Sequence, residues 1–299
     1  MGIIAILVAS FLWGTTGTFA SFTIQTNPLA IGAFATGFGG IFQVLWNFRA
    51  ILRNRLPLLR MKKRIGLGAL TVALYPLTFY SSMTLAGVAT GTLISIATAP
   101  FATLLLEAIL NHQNNLNRRW LISLILGLSG VILLTCGATQ TTIHVDGNYL
   151  LGIGLGVVGG FCYAIYTWIA KTMIDQEVCS SATMGILFGT SSVLLLPTLF
   201  FTGSHLFAVP QNLAISCYLA LIPMTLGYFL FGYGLRSIHA STATLLTLFE
   251  PLVAAILAVT VVGETLSPQG WTGALLILFS LLLISWRGSP HSKNKLLPS

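Results

Sequence analysis

Along this chain, long apolar stretches alternate with short polar breaks. Each stretch has the ~20 residues that a helix rising ~1.5 Å per residue needs to cross a hydrocarbon layer of ~30 Å. Ten of them are present, at approximately 3–23, 29–48, 65–86, 88–110, 119–138, 149–170, 180–201, 211–235, 239–262 and 269–286, named spans 1 to 10 in that order. The polar tail after Trp286 predicts no ordered element. The pattern predicts an all-α integral membrane protein with ten transmembrane helices.

Composition rules out the soluble alternative. Hydrophobic residues make up 55% of the 299 positions and charged residues 7%, whereas a soluble domain is roughly a quarter charged. The 14 basic and 6 acidic side chains cannot supply the polar shell that a water-soluble protein of this size requires. The formal charge of +8 takes its meaning from where it sits. Arg49, Arg53, Arg55, Arg60, Lys62, Lys63 and Arg64 lie between spans 2 and 3, and Arg118 and Arg119 between spans 4 and 5. Lys171 follows span 6, Arg236 follows span 8, and Arg287, Lys293 and Lys295 lie in the tail. With an even number of spans all of them fall on one face, which the bias for cytoplasmic Lys and Arg makes the inside. Both termini are therefore expected in the cytoplasm. The basic loop reads as a topology signal aided by anionic lipid; no aromatic or motif context accompanies it, so nucleic acid is not an expected partner.

Met1 to Phe22 carries no basic segment ahead of its apolar run, so it reads as span 1 rather than as a cleaved leader. Cys136, Cys162, Cys179 and Cys217 stand singly, without metal-ligand spacing, and read as small packing residues. Neither a metal nor a cofactor is expected.

The chain also repeats itself. At an offset of 151, Ala89, Pro100, Leu106, Trp120, Leu124 and Ser129 match Ala240, Pro251, Leu257, Trp271, Leu275 and Ser280 without a gap. At an offset of 150, Val8, Phe11 and Ala20 match Val158, Phe161 and Ala170, and Trp13 faces Tyr163. The paired Pro and Trp carry most of the weight, since Leu-rich segments match easily. Two repeats follow, 1–140 and 147–286, with 287–299 as a cytoplasmic tail. Five spans per repeat is an odd number, so the second repeat enters the membrane inverted. Inverted halves can exchange conformations, the physical basis of alternating access around a midplane site.

The run FLWGTTG at Phe11–Gly17, the run at Ala240–Ala258 containing TLLTLFEPLVAAILA, and GETLSPQGWTGALLIL at Gly263–Leu278 resemble the EamA family of the drug/metabolite transporter superfamily. The resemblance covers nearly the whole chain, and EP, GE and WxG at these spacings are its most specific part. It implies a ten-helix inner-membrane exporter of amino acids or similar metabolites. The first half departs from the pattern. Gln113 and Asn114 stand where the GE glutamate is expected, and Ala99 precedes Pro100 where Glu250 precedes Pro251.

Glu250 lies about 11 residues into span 9, or ~16 Å along the helix, near the bilayer middle. A carboxyl group there is costly and usually faces a cavity, carries a proton or meets a cationic group. It is a candidate for proton coupling and for substrate binding; the structural alternative is a protonated Glu250 bonded to Thr244 or Thr247. Pro100 and Pro251 are expected to kink spans 4 and 9, and Pro76 and Pro223 to bend spans 3 and 8. Trp13, Tyr75, Phe79, Tyr80, Tyr163, Tyr166, Tyr228 and Phe231 cluster near mid-span and, with Thr247 and Glu250, form the candidate substrate-binding set; each ring could instead be core filling. Trp120, Trp271 and Trp286 read as interfacial anchors. Glu264 and Glu107 read as polar anchors at helix ends. Gly87 with Gly91, and Gly152, Gly156 and Gly160, have the spacing that lets helices approach closely, within a monomer or across a dimer.

The function classes compared are a secondary transporter, a channel or receptor-like protein, and an intramembrane enzyme. HExxH motifs, paired aspartates and Walker-type loops are absent, and His112, His144, His205, His239 and His291 lie at span ends, in loops or in the tail. An enzyme is therefore not expected. A channel calls for a continuous pore, whereas inverted repeats favour rocking halves. The favoured reading is a transporter of an uncharged or zwitterionic solute, an amino acid or related metabolite, with membrane lipid as its other partner.

Overall fold

The structure, a computed structural model, describes residues 1–111, 117–137, 148–263 and 265–286. Gln113, Asn114, Glu264, His112, His144, His291 and the tail 287–299 lie outside the described residues. Among the described residues, ten apolar helices are long enough to cross a membrane. They are Gly2–Ser21, Pro28–Arg53, Lys62–Ala86, Val88–Leu110, Arg118–Gly137, Tyr149–Asp175, Ser180–Thr202, Pro210–Leu235, Ala240–Val262 and Pro268–Ser285. They follow the sequence expectation, with spans 2, 3 and 6 extended by about a turn into polar sequence at the end that carries the basic residues. A short helix, Arg55–Arg60, sits in the loop between spans 2 and 3.

Helix ends follow local chemistry. Asn27 caps span 2 by accepting from the Leu29 amide at 2.9 Å, with Pro28 in the first turn. Ser267 caps span 10 in the same way, also ahead of a proline. Spans 3 and 4 are joined by the single residue Gly87, whose φ of 89° and ψ of 149° define a backbone region essentially restricted to glycine.

Packing depends on small residues, because apolar side chains gain little by leaving lipid for another helix. Spans 5 and 10 run antiparallel: Gly130 lies against Gly273, Gly137 against Gly270, and the Ser280 hydroxyl donates to the Ser123 carbonyl at 2.6 Å. Spans 2 and 7 are also antiparallel, with Gly37 against Leu196, Gly185 against Asn47, and the Ser192 hydroxyl donating to the Gly37 carbonyl at 2.6 Å. Span 6 packs antiparallel to span 3, where Gly152 meets Ala86 and Gly156 meets Ser82. It packs parallel to span 4, where Gly160 meets Thr98 and Ser95 donates to the Gly156 carbonyl. Span 1 has the matching neighbours, antiparallel to span 8 and alongside span 9, where Gly14 meets Val253. Exchanging the halves thus turns 3–6 into 8–1 and 4–6 into 9–1, and leaves 2–7 and 5–10 unchanged. Equivalent helices that pair antiparallel are consistent with halves of opposite orientation.

Three readings need correction. Trp120 is no interfacial anchor: it is 1% exposed and part of the main core, whereas Trp271 and Trp286 are 48% and 79% exposed. Glu107 does not end its helix in solvent. It is 1% exposed and accepts from the Ser241 hydroxyl at 2.5 Å and the Ser241 amide at 3.3 Å, joining span 4 to span 9. Of the cysteines only Cys162 is buried; Cys136 and Cys217 are exposed on the outer faces of their helices, and Cys179 in the turn ahead of span 7.

Candidate functional site

Three breaks in helical regularity converge on the middle of the bundle. In span 9 the α-helix runs from Ala240 to Leu246 and resumes at Phe249. Pro251 has no N–H to give the Thr247 carbonyl, which accepts instead from the Glu250 amide at 2.9 Å. The break places Glu250 in the first turn of the second half-helix. In span 8, Pro223 lies in a π-helical stretch, Ala220–Gly227. There the Thr225 hydroxyl donates to the Ala220 carbonyl at 2.7 Å and the Trp13 indole N–H to the Pro223 carbonyl at 3.0 Å. Two carbonyls within the irregular stretch thus accept from side chains, so the backbone there stays satisfied as a membrane interior demands. Pro76 lies inside span 3, and Pro100 inside a span 4 that continues unbroken.

Around these bends lies a narrow cavity of about 70 Å³. Trp13, Tyr75, Phe79, Tyr80, Tyr163, Tyr166, Tyr228 and Glu250 line it, all within the candidate set. The other two members of that set lie outside the lining. Phe231 is 0% exposed and packs 5.3 Å from the Trp13 ring centre. Thr247 is buried, accepts from the Tyr163 hydroxyl at 3.2 Å and donates to the Thr244 carbonyl. Both support wall residues from behind. The remaining lining comes from Thr16, Gly32, Ala35, Thr36, Val72, Pro76, Phe188 and Met224, of which only Pro76 was singled out in the sequence, as a bend. Thr16 sits one turn beyond Trp13, and Gly32 and Thr36 are four apart on span 2; helical spacing from a known wall residue would have found Thr16.

The rings hold one another. Trp13 and Tyr228 have centres 4.6 Å apart, Tyr75 and Tyr163 5.5 Å, Tyr163 and Tyr166 5.3 Å, and Phe188 and Tyr228 4.1 Å. The Tyr166 and Tyr228 hydroxyls are hydrogen-bonded at 3.1 Å. Glycine makes room for two of the rings. A Cβ at Gly227 would fall 2.8 Å from the Trp13 indole nitrogen, and one at Gly32 would collide with Tyr80.

Glu250 contributes the only acidic or basic side chain in the lining. Among the described residues its carboxyl group has no hydrogen-bond partner; Thr244 is engaged with Thr103 and with the Ala240 and Ser241 carbonyls, and Thr247 as above. The alternative of a Glu250 tied to one of these threonines therefore fails. The Thr16 hydroxyl is likewise buried with no partner among the described residues. Free polar groups facing a space ringed by aromatic side chains are the ingredients of a small-molecule site. No group of three or more His, Cys, Asp or Glu that could hold a metal occurs among the described residues.

The cavity's lining runs from mid-span residues such as Trp13, Tyr75 and Glu250 to Gly32, near the end of span 2 opposite the basic residues. Toward the basic end, Ile169, Met173, Met184, Leu187, Leu235 and Leu246 belong to the main core. Gly68 lies close to Leu187 and Gly232 to Met184 in that region.

Comparison with known proteins agrees with this architecture. The model of the EamA-like transporter family matches the chain twice, at residues 1–136 and 150–286. An uncharacterized transporter of Bacillus subtilis (strain 168), YwfM, is 36% identical over 286 residues, covering 94% of this chain and 92% of the relative. The uncharacterized inner membrane transporter YicL of Salmonella typhimurium is 28% identical, covering 95% of each chain. A solved crystal structure superposes with a TM-score of 0.78 over 95% of this chain and 96% of its own, at 18% identity, a likeness of fold alone. By its two-fold match to the family model and its full-length likeness to YwfM, this chain belongs to the EamA-like transporter family.

Proposed function

We propose that the protein is a secondary transporter that exports small metabolites such as amino acids, by alternating access of two inverted repeats, 1–140 and 147–286, around the central cavity. The observation that carries this reading is the cavity's position. It lies between helices of both halves, at the bends of spans 8 and 9, in a fold whose packing pairs survive exchange of the halves. Rocking one half against the other closes one end as it opens the other. With both termini cytoplasmic and the chain in the inner membrane, the basic end is the inside. Glu250 is the coupling group, since a lone carboxyl group at this depth gains or loses a proton as the cavity changes access.

Saturable counterflow of a solute panel in proteoliposomes, beginning with aromatic and neutral amino acids, tests the transporter reading; conductance that does not saturate points to a channel. In Glu250→Gln, transport loses its dependence on pH. A variant with the wild-type pH profile removes Glu250 from the coupling role. Tags on the two termini should both report from the cytoplasm, and opposite faces would undo the ten-span inverted arrangement.

A further inference from the structure

We infer that the central cavity selects a solute carrying an amine or other monocation on an apolar body, and disfavours the free zwitterion; this rests on the transporter reading and moves its substrate class from amino acids to amines. The lining offers one carboxyl group and no Lys or Arg. Glu250 takes no hydrogen bond from any described residue, so its oxygens face the space available to a ligand. The rings of Trp13, Tyr75, Phe79 and Tyr228 line the same cavity. Carboxylate and ring faces both attract a cation, and strongly so where water is scarce.

A carboxylate on the solute finds the opposite environment. Glu250 repels it when ionised, and a buried anion without a cationic partner is costly. The donors left for it are hydroxyls, chiefly those of Thr16, Tyr75 and Tyr80, because the Trp13 N–H is committed to the Pro223 carbonyl and the Tyr163 hydroxyl to Thr247. Neutral donors orient a hydroxyl or amide well but do not neutralise a charge.

The test compares four ligands with the same phenyl ring and two-carbon linker, bound to the purified full-length protein and followed calorimetrically at neutral pH: phenethylamine, 2-phenylethanol, phenylalanine and 3-phenylpropionate. Phenethylamine is expected to bind at least tenfold more tightly than phenylalanine, and phenylpropionate most weakly. In Glu250→Gln the ratio of amine to alcohol affinity falls at least tenfold. The inference is overturned if phenylalanine or phenylpropionate matches the amine, if the ratio is unchanged in the variant, or if the amine shows no saturable binding. Counterflow of phenylalanine and of the permanently charged trimethylated amine keeps the two readings apart. Exchange of phenylalanine alone leaves the transporter and removes the cation preference. Tight, Glu250-dependent amine binding without exchange of either solute does the reverse.

Discussion

Replacing Gly273 with alanine probes the antiparallel pairing of spans 5 and 10, far from the cavity wall. A Cβ there falls 2.5 Å from the Gly130 carbonyl oxygen and 2.5 Å from the Leu134 amide nitrogen, about 1 Å inside ordinary van der Waals contact of ~3.5 Å. Both obstacles are backbone, so no side chain can swing aside and the two helices must part. Separation loosens the Gly137–Gly270 contact and stretches the Ser280–Ser123 hydrogen bond, now 2.6 Å. Overpacking of this kind costs ~1–3 kcal/mol. Alanine regains ~0.5–1 kcal/mol over glycine within a helix, which from the middles of the two ranges leaves a net loss of about 1 kcal/mol. At roughly 2–4 °C per kcal/mol, the thermal transition of the purified protein in detergent should fall by about 2–4 °C at a fixed scan rate. Gly154→Ala is the control: its added Cβ meets nothing within 4 Å, so the transition holds or rises. A Gly273→Ala protein as stable as Gly154→Ala would refute the close-approach account of this interface.

The same assay checks two further expectations. Ser241→Ala removes the 2.5 Å donor to the buried Glu107 carboxyl group and should destabilise by ~1–3 kcal/mol, while Ser241→Thr, which keeps the hydroxyl, recovers most of the loss. Tyr166→Phe and Tyr228→Phe each strand one hydroxyl of a buried pair 3.1 Å apart. The double variant should therefore be more stable than the summed singles by ~0.5 kcal/mol or more, and strict additivity would mean that the two hydroxyls do not depend on each other.

Much of the site was legible because a membrane makes certain residues conspicuous. A lone glutamate at mid-span, prolines inside helices and rings clustered at one depth are each costly or unusual in lipid, and Glu250 with seven candidate rings lines one cavity beside the helix breaks at Pro223 and Pro251. The small and aliphatic members, Gly32, Ala35, Val72 and Met224, carried no such mark. They resemble every other apolar residue until a neighbour packs against them, as Tyr80 does on Gly32.

Sequence alone determined the number and length of the crossings and the crowding of charge at one end, because the bilayer sets a fixed apolar length and topology is written in basic residues. It also carried the doubling of the chain, through Pro100 with Pro251 and Trp120 with Trp271. Only the tertiary structure decided which way each side chain faces. In water, polarity separates the inner face of a helix from the outer; in lipid both faces are apolar, so Trp120 in the core and Trp271 at the surface occupy matching places in the repeat with opposite fates. Close approach of backbones at small residues, and the need to satisfy every buried carbonyl and carboxyl group, made that choice instead.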